Sequence, residues 1–498
     1  MKRITWAAAV LIVAFTSAAC GGAKREGAAP STSTAAVATA RPNIVLILTD
    51  DMAPSDWLYM PKTNALIGDQ GMRFPNFMVT VSLCCPSRAS ILRGQYAHNH
   101  GILTNGGANG GFELFRDSKL EDSTIATWLK AAGYRTGLFG KYLNGYASKG
   151  SEGYVPPGWD SWASPIDGLA AYGQYNYRMN EDGKVVAHGR TAEDYLDDLI
   201  ARKSVGFIER SMKEGAPFFA YIAPTAPHSP PVPARRHANA SVATEFPTSI
   251  AFNEADVSDK PRYVSIRAPL TARTIEALQS FQRQRIRSLL AVDELVESVV
   301  TALERAGQLE STYIFVTSDN GWMQGEHRIP QGKFVPYDES VRVSMMVRGP
   351  GVLRGTDTSL AGNVDLAPTF AEIAGIAAPD FVDGQSALSI LHGRPLDGFR
   401  RKAFLIESWL GGGDPGEEDT GISEYHGLRT RDAKYVEYAT GERELYDLRS
   451  DPSEMENLAA VVSREILEGF SRVVAALKAC KTSTCREAEN LAPPLIVH

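Results

Sequence analysis

Residues Asn43–Thr49 read Asn-Ile-Val-Leu-Ile-Leu-Thr, a near-continuous apolar run rich in β-branched side chains. A run with no polar face predicts a strand covered on both sides, as strands of parallel sheets are. Comparable runs recur at 136–142, 217–223, 312–317 and 341–347. Between them the apolar spacing lengthens to the helical period, at 124–132, about 192–214 and 275–306. Apolar strands alternating with helices predict an α/β fold, a large sheet sandwiched between helices. Beyond about residue 391 the pattern changes. Short strand candidates at 403–406, 427–429, 434–437 and 444–447 precede a helical stretch at 464–479. These predict a smaller C-terminal antiparallel sheet with one packed helix. The Pro- and Ala-rich stretch 228–269 reads as a long loop insertion bordering the substrate.

The N-terminus follows different rules. Lys2 and Arg3 precede an apolar run from Trp6 to Phe15, then Thr-Ser-Ala-Ala-Cys20. This is a secretory signal over residues 1–19, too short to span a bilayer as a folded helix. Small residues before Cys20 resemble a lipoprotein cleavage site, with Cys20 as a lipidated terminus; ordinary secretion after Ala19 is the other reading. Residues 20–41 are rich in Gly, Ala, Ser and Thr and form a flexible tether. No later segment approaches a membrane span. The rest divides into a catalytic domain, 42–390, and a C-terminal subdomain, 391–498. The net charge of −7 carries no basic stripe, which argues against nucleic-acid binding. Cys480 and Cys485 bracket four residues, a spacing that in an exported chain fits a local disulfide better than a metal site.

Candidate chemistry stands at strand ends. Asp50 and Asp51 follow the first apolar run, and Asp319 and Asn320 follow the run at 312–317. In open α/β sheets ligands gather at that edge. Adjacent carboxylates repel, and a hard divalent cation relieves the repulsion. Either pair alone would pass for a turn or a helix cap. Together they make an oxygen-rich site suited to Ca²⁺, with Mg²⁺ the alternative, rather than to zinc. Pro86 near the first turn of a helix over 87–93 places Cys84 at a helix N-terminus, where negative charge is favoured.

The run Cys84-Cys85-Pro86-Ser87-Arg88 resembles the signature of type I sulfatases, of the alkaline-phosphatase-like superfamily. The resemblance extends from Asn43 to about Leu458. It implies that Cys84 is oxidised to formylglycine by a formylglycine-generating enzyme, that the aldehyde hydrate is the nucleophile, and that its oxygen completes the metal shell of Asp50, Asp51, Asp319 and Asn320. Cys85, at the variable position, needs no chemistry. Arg88 would hold the hydrate. Lys141 in Gly-Lys-Tyr, Lys333 in Gly-Lys-Phe and His228 in Pro-His-Ser match positions around the substrate sulfate, where they stabilise charge and protonate the leaving alcohol. Many sulfatases carry a His two residues after the first of these lysines; here it is Leu143. Asn144, His327 and the His98/His100 pair are candidates for its role, with a structural role for His98 and His100 equally open. The text around Lys141, the Cys-Cys-Pro-Ser-Arg run and His98-Asn99-His100-Gly101 are similar to the N-acetylglucosamine-6-sulfatase and extracellular endosulfatase branch. The segment 444–458 matches another family sequence, with a structural job.

The function this implies is hydrolysis of a sulfate ester, on a sulfated sugar, by an exported protein, either secreted or periplasmic or held at the cell surface through a lipid on Cys20. Two rivals share parts of the pattern. A phosphonate or phosphodiester hydrolase of the same superfamily can use the same nucleophile. A lipoprotein that binds a sulfated glycan without turning it over would keep Cys84 as a thiol.

Overall fold

The computed structural model describes residues 41–496 except 148–149, 167, 243–245, 247–248, 395–398, 400 and 410–420. The signal, Cys20 and nearly all of the tether lie outside the described residues.

Among the described residues ten strands form the main sheet: β1 Asn43–Thr49, β2 Met72–Phe74, β3 Arg135–Gly140, β4 Ser161–Pro165, β5 Arg178–Glu181, β6 Lys184–Ala187, β7 Phe218–Ala223, β8 Thr312–Ser318, β9 Met345–Arg348 and β10 Gly355–Thr356. Their order is β10-β2-β9-β8-β1-β7-β3-β4-β5-β6. The central four, β8, β1, β7 and β3, are mutually parallel, with Val45 opposite both Ala220 and Ile314. β9 is antiparallel to its neighbours, so the sheet is mixed. The main helices are α1 Cys84–Arg93, α2 Ile125–Ala131, α3 Leu196–Glu214, α4 Ala272–Arg305, α5 Leu366–Ile373 and α6 Arg464–Ala479.

Strand β1 shows why its sequence has no polar face. Ile44, Leu46 and Leu48 pack into one apolar cluster with Ala89 and Ile91 of α1, Leu129 of α2 and Phe370 of α5. Val45 and Ile47, pointing the other way, join a second cluster with Ile200 and Phe207 of α3 and Val292 and Val296 of α4. Alternate side chains of a strand face opposite sides, so two covered faces require apolar residues at every position.

The C-terminal sheet is antiparallel, in chain order: β11 Phe404–Ser408, β12 Tyr425–Arg429, β13 Ala433–Tyr438 and β14 Arg443–Asp447. Helix α6 lays Phe470, Val474 and Leu477 against it. The same cluster takes in Met78, Tyr96 and Met323, so this sheet shares a core with the region around the main sheet. Cys480 and Cys485 are disulfide-bonded. In the 444–458 segment, Asn457 Oδ1 accepts the backbone N–H groups of Leu445 and Ala459, a structural role.

One strand expectation needs correction. The run 341–347 is not one strand: Asp338–Val341 is a short helix, and the strand begins only at Met345. Val341 and Val343 bond instead to the Phe77–Val79 segment, and Ser344 turns the chain with φ +54°. An apolar run cannot show a bend set by tertiary pairing on two different partners.

Candidate active site

Four adjacent parallel strands end at one edge, and each delivers part of the site. Thr49 is paired with Ser318, so Asp50-Asp51 after β1 lies beside Asp319-Asn320 after β8. Lys141 follows β3, and His228 lies in the loop after β7. Helix α1 supplies Cys84 as its first residue, and its residues from Cys84 to Arg93 are all buried. Gly94 stops the helix in the left-handed conformation, φ +68°.

The geometry brings these groups together. Cys84 Sγ is 3.4 Å from Asp50 Oδ1, 3.9 Å from Asp51 Oδ1 and 3.0 Å from Lys333 Nζ. Lys333 Nζ also donates to Asp51 Oδ1 at 2.6 Å, and Lys141 Nζ lies 2.8 Å from Asp50 Oδ2. Arg88 Nε donates to Asp319 Oδ2 at 2.8 Å, and its Nη1 to the Lys141 carbonyl at 2.8 Å. Asp51 adopts φ +63°, a left-handed conformation that Asp tolerates better than most residues, and its N–H donates to Asp319 Oδ1 at 3.2 Å. Asn320 Nδ2 donates to Asp51 Oδ1 at 2.6 Å.

His228 donates from Nδ1 to the Ser229 carbonyl at 2.6 Å, which leaves Nε2 toward Asp51 Oδ2, 3.5 Å away. Its ring stacks on Tyr172 at 3.8 Å between centroids, and Lys141 Nζ sits 5.1 Å from the centre of the same tyrosine ring.

Burial governs the charges here. It opposes ionisation of Asp50, but Lys141, His228 and Arg88 outweigh it and hold the carboxyl below its ordinary range. Burial likewise opposes the Lys141 ammonium, which Asp50 nonetheless keeps charged, above the usual lysine value. For the unmodified Cys84 thiol burial wins, pushing it well up despite both lysines. An unmodified thiol here is a poor nucleophile.

Carboxylate oxygens of Asp50 and Asp51, Cys84 Sγ and a His228 ring nitrogen all lie within 4.8 Å of one another. Asn320 Oδ1 and Asp51 Oδ2 are buried and accept no hydrogen bond among the described residues. Buried oxygens without donors are what a hard cation would satisfy, so the residues present fit Ca²⁺ or Mg²⁺. Asp319 lies at the rim of this group, both of its oxygens already accepting hydrogen bonds.

The candidates for the role missing at Leu143 separate. Leu143 itself is buried in the apolar cluster with Phe112. His98 bonds Glu407 Oε2 at 2.9 Å and the Cys480 carbonyl at 3.0 Å, and His100 bonds Ser90 Oγ at 3.0 Å and receives the Ile102 N–H. Both brace the chain that follows α1. Burial, then Arg93 and His98, lower the His100 pKa to about 3, so the ring is neutral. His327 is buried, bonded to Glu254 at 2.6 Å and stacked on Tyr337.

Sequence reasoning missed Tyr172, Asp56, Trp322 and Arg285. Gln282, Arg285 and Ser288 recur every third position on the buried face of α4, a polar interruption of an apolar stripe that could have drawn attention. Tyr172, in Ala-Ala-Tyr-Gly, gives no such signal.

Comparison with known proteins bears on this arrangement. The sulfatase family model matches residues 42–376, and that for the C-terminal part of N-sulphoglucosamine sulphohydrolase matches 325–478. The chain is 34% identical to N-acetylglucosamine-6-sulfatase of Homo sapiens, over 91% of this chain and 87% of that protein. It is 31% identical to an arylsulfatase of Volvox carteri, over 93% and 78%. A solved structure of a protein in complex with its substrate D-glucosamine-2-N,6-O-disulfate superposes with a TM-score of 0.72 at 24% identity, covering 91% of this chain and 99% of that one. The phosphonate monoester hydrolase of Agrobacterium radiobacter gives 0.65 at 20%, over 88% and 96%. These two likenesses establish the alkaline-phosphatase-like fold shared with sulfatases. Fold, family match and relatives agree: the chain belongs to the sulfatase family and is a sulfuric ester hydrolase.

Proposed function

We propose that this sulfatase hydrolyses the sulfate ester of a sulfated sugar, with Cys84, matured to formylglycine, as its nucleophilic residue. One observation carries the reading. Cys84 opens a buried helix and meets Asp50, Asp51 and Lys333 within 4 Å, in a thiol environment that makes little sense for a cysteine left as it is.

The formylglycine hydrate would supply an oxygen nucleophile, and a divalent cation held by Asp50, Asp51, Asp319, Asn320 and residue 84 would supply the positive charge that favours its ionised form. The chain's own residues do the rest. Lys333 and Lys141 hold the non-bridging oxygens of the sulfate group as charge develops there. The N-terminus of α1 adds its partial positive charge at the same point. Arg88 neutralises Asp319 and, through the Lys141 carbonyl, fixes the backbone from which that lysine projects. His228 presents Nε2 for proton transfer to the departing alcohol, its ring orientation set by the Ser229 bond and the Tyr172 stack.

The sugar substrate is supported by the N-acetylglucosamine-6-sulfatase relatives. We read residues 1–19 as a signal, 20–41 as a tether with Cys20 open to lipidation, 42–390 as the catalytic domain and 391–498 as its C-terminal subdomain. A formylglycine-generating enzyme acts on the chain during maturation.

Release of inorganic sulfate from N-acetylglucosamine-6-sulfate, set beside hydrolysis of a matched 6-phosphodiester and 6-phosphonate, tests the proposal. The expected result is turnover of the sulfate in clear preference. Preferred turnover of the phosphodiester or phosphonate would favour the phosphonate or phosphodiester hydrolase reading. Binding of the sulfated sugar with no turnover, Cys84 remaining a thiol, would favour the binder.

A further inference from the structure

Arg285 is fully buried, in the N-terminal half of the 34-residue helix α4, and its guanidinium reaches three of the loops that build the site. Nη2 donates to the Asp51 carbonyl at 2.6 Å and to Asp56 Oδ2 at 2.6 Å. Nη1 donates to the Pro227 carbonyl at 3.2 Å, the residue immediately before His228. The cation also lies 5.5 Å from the centre of the Trp322 ring, two residues after Asn320. On that ring Lys333 Nζ is 6.0 Å from the centre. Asp56 is fixed in turn: Gln282 Nε2 donates to its Oδ1 at 3.0 Å, and the Ala53 N–H to its Oδ2 at 3.0 Å.

We infer that Arg285 is a positioning residue for the reaction, holding the loops after β1, β7 and β8 in register from beneath. The reason lies in what the Asp51 backbone must do. Even for an aspartate, φ +63° carries a backbone cost that the surroundings offset. Arg285 grips the carbonyl of that very residue, while the Asp56 carboxylate balances its buried charge. Only a planar fork with several donors reaches two carbonyls and a carboxylate while lying over an indole; a lysine in the same place reaches fewer. The inference rests on the proposed function for its kinetic consequence, not for the geometry.

Kinetics and crystal structures of Arg285→Lys and Arg285→Met test it. Both are expected to lower kcat on N-acetylglucosamine-6-sulfate at least about tenfold with KM changed less than about twofold, the size of effect that displaced catalytic groups produce. Arg285→Lys, which keeps the charge opposite Asp56, should fold and recover part of the loss. In the variant structure Asp51 should leave its left-handed conformation or lose its bond to Asn320. A folded variant with Asp51 undisturbed, or with wild-type kcat, overturns the inference. If the wild type released no sulfate, the sulfatase proposal would fail by itself, and the position of Asp51 in the Arg285→Lys structure would still decide the brace.

Discussion

Lys333 is the residue on which the site closes. Its Nζ contacts both Asp51 and Cys84, yet it comes from a loop far along the chain from either. Removing its charge with Lys333→Met should cost about 10²–10³ in kcat/KM, the range seen when one group stabilising developing charge is lost; steady-state kinetics on an aryl sulfate checks this. Asp197, at the start of α3, makes a different prediction. It accepts the Thr225 N–H at 2.9 Å and the Ala226 N–H at 3.3 Å, anchoring the loop that leads to His228. Burial raises its pKa to about 7, against those hydrogen bonds. The unfolded chain releases this proton near pH 4 and the folded chain near 7, so stability falls as pH rises between them, by at most about 1.4 kcal/mol per unit. Urea unfolding at pH 5 and pH 8 should show that decline in the wild type and a smaller one in Asp197→Asn. The aspartates drew attention in the sequence because each pair follows an apolar strand, and Cys84 and Arg88 because they stand in the Cys-Cys-Pro-Ser-Arg run. Arg285 and Tyr172 did not, because their importance comes from elements that meet only after folding.

Among the elements, strand β1 was legible to the residue, since a short, β-branched apolar run ending in two aspartates fits a strand buried on both faces. The helix at 464–479 was equally plain, its apolar positions recurring at the helical period. The region 341–347 was not, since its residues divide between two partners and only the turn at Ser344 marks the change. The C-terminal disulfide acts at this scale too. The Cys480 carbonyl accepts bonds from His98 Nε2 at 3.0 Å and Asn99 Nδ2 at 3.1 Å, so the bridged loop supports the turn that follows α1. Opening so short a loop with Cys485→Ser should lower stability by about 2 kcal/mol by the chain-entropy argument. Denaturant midpoints for the two proteins give the difference, with kcat expected to fall less than stability does.

Across the whole molecule, the site depends on strand order more than on any single segment. Adjacent parallel strands β8, β1, β7 and β3 deliver Asp319 and Asn320, Asp50 and Asp51, His228, and Lys141 to one edge. A cation bound there links loops that are distant in sequence, so it should stabilise the fold as a whole. At a calcium concentration about 100 times its Kd the gain should be about 2.7 kcal/mol, seen as a higher melting temperature than in chelator. An unchanged melting temperature would speak against a cation at this edge. The most direct measurement is the mass of the peptide containing Cys84, taken from protein produced together with a formylglycine-generating enzyme. An aldehyde is expected in place of the thiol at that one position, Cys85 remaining cysteine. A peptide carrying both thiols intact would contradict it.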